Sequence, residues 1–172
     1  MAAVPDRPGI ASVAQAMETL KPEAARWSQR VHNVSRKEWN RRANAGFVRQ
    51  GEWFFLPRPN FAPASQAMIL SDEPIMRSGG KPHMVEELYR EGGETVYVCH
   101  RHPGGVTQMR YYELLQTKRE AKSWDWRVMR RNPLVYARGK IRHPDHATIV
   151  LPFWHIVVMS AERRASNVAF LD

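Results

Sequence analysis

What most constrains this chain is how its strand-prone runs are cut. From Phe47 onward, short stretches of β-branched and aromatic residues alternate with Pro and Gly breaks. The breaks follow no regular strand–helix–strand spacing, which argues against a doubly wound fold. The runs predict strands over residues 47–49, 52–56, 94–99, 134–142, 148–151 and 154–159, with weaker ones at 68–70 and 168–171. Gln50-Gly51 reads as a tight turn between the first two. Ser78-Gly79-Gly80-Lys81-Pro82 is a clear break, and His102-Pro103-Gly104-Gly105 reads as a turn. Helical periodicity is left for residues 84–90, with Val85, Leu88 and Tyr89 inward, and for 107–118, with Met109, Tyr112 and Leu115 on one face.

The segment before residue 46 reads differently. Ser12 and Gln15 have capping-box spacing ahead of Val13, Met17 and Leu20. Pro22 suits the first position of a second helix, in which Trp27, Val31 and Val34 repeat at i, i+4, i+7. Ser35 and Glu38 form another box, opening a short basic helix to about Ala45, with Gly46 as its left-handed stop. The expected fold is α+β: short N-terminal helices, then a mostly antiparallel sheet with one or two packed helices. Residues 1–46 form a helical segment docking through Trp27, Val31 and Trp39, and 47–172 form the main domain. On that reading Trp27→Ala costs roughly 3 kcal/mol.

The 172 residues are 43% hydrophobic and 25% charged, which suits one globular domain and excludes collagenous and fully disordered chains. No apolar run approaches the roughly 20 residues needed to cross a bilayer, and the first residues lack the apolar core of a secretory signal. One cysteine, Cys99, excludes an internal disulfide and suits a reducing compartment, so a cytoplasmic location is expected. Its Val-Tyr-Val approach predicts a buried thiol.

Charge is the first functional signal. The net charge is +9, and it is clustered. Residues 26–49 hold seven bases against one acid, and residues 118–142 hold nine against two. Basic windows interleaved with aromatics are the footprint of phosphate-backbone binding. Arg127, Arg130, Arg131, Arg138, Lys140 and Arg142 are expected to form one contiguous surface, aided by Arg41 and Arg42. Trp124 and Trp126 would serve as stacking platforms. Nucleic acid, RNA slightly before DNA, is the leading expected partner, or another polyanion. An acidic protein partner is the non-enzymatic alternative.

Histidine is the second signal. Five of seven lie between residues 99 and 155, including His100, His102, His143 and His146. Imidazoles near neutral pKa could act as general acid and base on a phosphodiester. The four, with Asp145 as ligand or outer partner, could instead hold zinc or another divalent transition metal. His143 and His146 could converge across their own turn, whereas a site shared by all four histidines requires the strands 94–99 and 134–142 to be parallel neighbours, so that their ends meet.

His146-Ala147-Thr148 resembles one H-x-T element of two-histidine phosphoesterases, but no other histidine has Ser or Thr two positions on. Gly139 to His146 resembles the histidine block of Hint domains, with His143 at the threonine position. The chain lacks that family's nucleophile and terminal His-Asn pair, so autoprocessing is not expected.

Overall fold

The computed structural model describes residues 13–76 and 80–160. The expected Ser12 cap, the strand at 168–171 and part of the 78–82 break lie outside the described residues. The described residues divide into two compact units, one drawn from residues 13–89 and 135–160, the other from residues 90–134. The N-terminal helices group with the first unit, and the second unit is inserted in sequence between two strands of the first.

In the first unit, helices α1 (Val13–Leu20) and α2 (Glu23–Val31) precede a seven-stranded sheet. Its strands are β1 (Ala43–Asn44), β2 (Phe47–Gln50), β3 (Trp53–Pro57), β4 (Leu70–Ile75), β5 (His83–Glu91), β9 (Leu134–His143) and β10 (His146–Met159). They lie side by side as β1-β2-β3-β10-β9-β5-β4. The residues expected as two strands at 148–151 and 154–159 form one, β10. A register shift between Leu151 and His155 accommodates Pro152, which has no amide to give.

The helical segment differs from its expectation in two ways. Residues 36–40 form turns, not a third helix. Asn44 explains this. Its carboxamide oxygen accepts the Gly46 and Phe47 amides, and its nitrogen donates to the Glu38 and Arg41 carbonyls, so a local turn outcompetes the helix. Gly46 is needed because α2 presses on it: a Cβ there would lie 2.7 Å from the Gln29 backbone.

Nor does α2 dock through Trp27 and Val31. Trp27 is 55% exposed and Val31 is exposed too. The inward face is Ala25, Ser28 and Gln29, with Ala25 in a core with Phe47, Phe54 and Leu56. Trp39 lies half-buried, and its indole nitrogen donates to Glu18. Trp53, Phe55 and Trp154 are core residues, as their runs suggest.

Residues 84–90 are strand, not helix. Their buried residues His83, Val85, Leu88 and Tyr89 break simple alternation and imitate a helical face. β5 pairs antiparallel with β4 on one side and lies beside β9 on the other, and a helix could satisfy neither ladder.

The second unit holds β6 (Glu94–Cys99), β7 (His102–Thr107) and β8 (Arg127–Arg131) in the order β7-β6-β8, all antiparallel. The expected turn at 102–105 falls one step earlier, at residues 100 and 101, where Cys99 pairs with His102. Helix α3 (Gln108–Thr117) is capped by the Thr107 hydroxyl. It turns Leu114 and Tyr111 inward, with the Tyr111 ring stacked 3.9 Å from Tyr97. Of the face expected to hold Met109, Tyr112 and Leu115, Met109 is 83% exposed and Tyr112 is exposed as well. Cys99 is buried and free.

Candidate metal centre

Three strands of the first unit each deliver one histidine to the same place. β9 and β10 are joined by the two-residue loop Pro144-Asp145, and His143 and His146 are the cross-strand pair that closes it. Such a pair projects to one face of the sheet. The next strand is β5, whose Glu86 carboxylate accepts the Lys140 amide and whose Glu87 pairs with Arg138. That register runs antiparallel and brings His83, the first residue of β5, opposite His143, the last of β9.

The result is a row of imidazoles across β5, β9 and β10. Ring centroids are 4.2 Å apart for His83 and His143, and 4.4 Å for His143 and His146. These spacings approach the 4.7–4.9 Å between neighbouring strands, so the ladder itself sets them. One ligand atom from each of the three rings can be chosen so that all lie within 4.8 Å of one another. Tetrahedral zinc with bonds near 2 Å wants its nitrogens about 3.3 Å apart, so the separations would have to close by up to about 1.5 Å.

His83 is the unusual member. It is 1% exposed, and neither ring nitrogen has a hydrogen-bond partner among the described residues. Burial first, then the neighbouring His143 and His146, push its pKa down to about 4. It is therefore neutral at pH 7, the form that ligates metal. A buried ring with both nitrogens idle carries a desolvation cost of the kind that native structures rarely leave uncompensated.

His143 and His146 are half-buried. The Asp145 amide donates to His143 Nδ1 at 3.1 Å, so Nε2 carries the proton in the neutral ring. Asp145 itself is exposed and pairs with Lys81 at 2.9 Å. Lys81, then the two nearby imidazoles, hold its carboxyl below the usual range. Behind the hairpin, buried Gln50 donates through Nε2 to the Ala147 and Ile141 carbonyls.

The turn between β2 and β3 lies against the row. Gly51 has φ of +59° there, and a Cβ built on it would be 3.2 Å from His83 Nε2 and 3.2 Å from His146 Nε2.

His100 and His102 are not part of this ladder. They sit on β6 and β7 or the turn between, in the three-stranded sheet, whereas β9 is in the seven-stranded one. The premise that their strands are neighbours therefore fails. His100 Nδ1 pairs with Asp125 at 2.9 Å, and His102 stacks on Trp126. His83 is the member that sequence reasoning misses, because residues 84–90 carry a helical pattern and His83 closes a loop. The signal that could find it is strand parity, which places His83, Val85 and Glu87 on one face.

The expected basic surface is divided between the units. Arg127, Arg130 and Arg131 belong to the second, and Arg138, Lys140 and Arg142 to the first. Several are neutralised locally: Arg131 by Glu94, Arg138 by Glu87 and Arg142 by Asp72. Arg41 pairs with Glu38, and Arg42 is exposed. Trp124 and Trp126 are half-buried with ring centroids 5.6 Å apart, and Arg101 lies over Trp124 at 5.2 Å. No helix among the described residues is long and apolar enough to cross a membrane. Compared with protein-family models, curated proteins and solved structures, the chain finds no match.

Proposed function

We propose that the chain is a metal-dependent hydrolase of phosphodiesters, holding one divalent transition ion on His83, His143 and His146. The observation that carries this reading is His83, buried and with neither ring nitrogen partnered among the described residues, beside two further imidazoles. Three imidazoles leave a fourth tetrahedral position open, as in catalytic rather than structural zinc sites. Bound there, the ion would lower the pKa of a water to about 7 and supply a hydroxide nucleophile. His143 would ligate through Nε2 only if its proton shifted to Nδ1, which would break the hydrogen bond that Nδ1 accepts from the Asp145 amide. The net charge of +9 favours a polyanionic substrate such as nucleic acid.

The test has two parts. Titration with Zn²⁺ should give one site per chain, and His83→Ala should abolish it. A zinc-loaded sample should cleave single-stranded RNA or DNA, and the His83→Ala protein should not. Stoichiometric zinc binding without cleavage would keep the metal and remove the enzyme.

A second reading, polyanion binding without catalysis, is favoured by the second unit. Arg127 and Arg130 are exposed on β8, an edge strand that follows directly on Trp124 and Trp126. Neutralising both should weaken nucleic-acid binding and flatten its salt dependence by about one unit of slope for each phosphate that no longer meets a cation. Equal binding by the double variant across a salt titration removes the site.

A further inference from the structure

We infer that Gly51 is the residue that admits the ion, and that the ion sits against its Cα between Nε2 of His83 and Nε2 of His146. The inference rests on the metal reading above and deepens it, because it names the donor atoms and the wall of the site. Those two nitrogens come from different strands, β5 and β10, yet both lie 3.2 Å from one point, the position a Gly51 Cβ would take. Among the described atoms beyond Gly51 and its two chain neighbours, these two are the nearest to that point, with His83 Cε1 next at 3.4 Å. An ion bonded to both nitrogens near 2 Å would lie within touching distance of such a Cβ, so a side chain and the ion compete for the same space.

Two features hold Gly51 in place. Its φ of +59° is the left-handed conformation that the tight β2–β3 turn requires. Its carbonyl accepts from Arg49 Nε at 2.9 Å, and Gln50 beside it is tied to the carbonyls of Ile141 and Ala147 on β9 and β10. The turn is thus anchored to the hairpin that carries His143 and His146. The left-handed backbone explains a glycine at this position by itself. It does not explain why the open side of that glycine faces two ring nitrogens, one of them on a buried histidine without a hydrogen-bond partner among the described residues.

The geometry also separates the roles of the three imidazoles. His83 and His146 meet the ion through Nε2 on the Gly51 side. His143 lies between them in the ladder, and its Nδ1 is already occupied by the Asp145 amide. Its ligation through Nε2 would require the proton to shift to Nδ1 and the Asp145 amide bond to break.

The experiment uses the full chain with Co²⁺ as probe. With glycines labelled by ¹³C at Cα, saturating Co²⁺ should shift or broaden the Gly51 signal most among the glycines, and leave Gly92 sharp. An unmoved Gly51 signal in a cobalt-loaded protein overturns the inference without any mutation. Gly51→Ala provides the second arm and should weaken Co²⁺ binding by about a hundredfold, at the upper end of outer-shell effects. Gly92→Ala is its control. Gly92 has a comparable φ of +69° but nothing within 4 Å of its would-be Cβ, so it carries the backbone strain without filling the site. Parent-like cobalt affinity in Gly51→Ala removes the proposed position of the ion while leaving the metal reading standing. Absence of cobalt binding in the parent removes both.

Discussion

At the scale of single residues, His83 ties stability to pH in a direction that follows from its burial. Its folded pKa is about 4, against 6.5 for a free imidazole. Between those values the unfolded chain binds a proton that the folded chain refuses. Stability from this residue is therefore complete above pH 6.5, declines as pH falls, and is fully lost below about 4. The span corresponds to about 3 kcal/mol. His155, also buried and shifted down by desolvation, adds to the loss with the same sign. Denaturation midpoints measured from pH 7 to 4 should fall in the parent and fall less steeply in His83→Leu, which has nothing to protonate there. Identical slopes would place the imidazole in contact with water. Saturating zinc should raise the midpoint at pH 7, since the ion binds only the folded arrangement of three strands.

Among elements, helix α2 reverses what its sequence suggests. Trp27 is the most hydrophobic residue of the i, i+4, i+7 set, and it faces solvent. Ser28 is fully buried, and its hydroxyl donates to the Gly46 carbonyl at 2.7 Å. Ser28→Ala strands that buried carbonyl and should cost about 1–2 kcal/mol. Trp27→Ala should stay within about 0.5 kcal/mol of the parent. Urea midpoints of the two variants in the opposite order would mean that α2 docks by its other face. Periodicity misleads here because α2 is held by close approach of small and polar residues, Ala25, Ser28 and Gly46, which no hydrophobic pattern marks. The same blindness hides the ladder. The strands at 94–99 and 134–142 and the hairpin turn at Gln50-Gly51 are legible from β-branched runs and turn chemistry. So is the pairing of His143 with His146 across Pro144-Asp145. His83 is not, since its membership depends on which strand lies beside β9, and a neighbour some sixty residues away leaves no local trace. The helical look of residues 84–90 arises because Leu88 and Tyr89 are both buried, a strand signature only once ladders on both sides are known.

For the whole molecule, the decisive fact is that the second unit is inserted between adjacent strands. β5 ends at Glu91 and β9 begins at Leu134, and contacts from the Glu86 carboxylate with the Lys140 amide to the Tyr89 ring with the Tyr136 ring close toward those ends. The strands would make an ordinary hairpin if residues 92–133 were replaced by Asn-Gly, a turn suited to two antiparallel strands. All three ladder histidines, Gly51 and Gln50 belong to the first unit. The shortened chain should therefore keep a β-rich circular dichroism spectrum and bind Co²⁺ with the parent's affinity. Arg127 and Arg130 leave with the insertion, so any polyanion binding that depends on them should weaken, and its salt dependence should flatten. The comparison separates the two activities by location. A shortened chain that folds yet loses cobalt would mean that the centre needs a group from the second unit. One that keeps the parent's full salt dependence would move the polyanion surface to the first, where Lys140 and Arg142 flank the histidine hairpin.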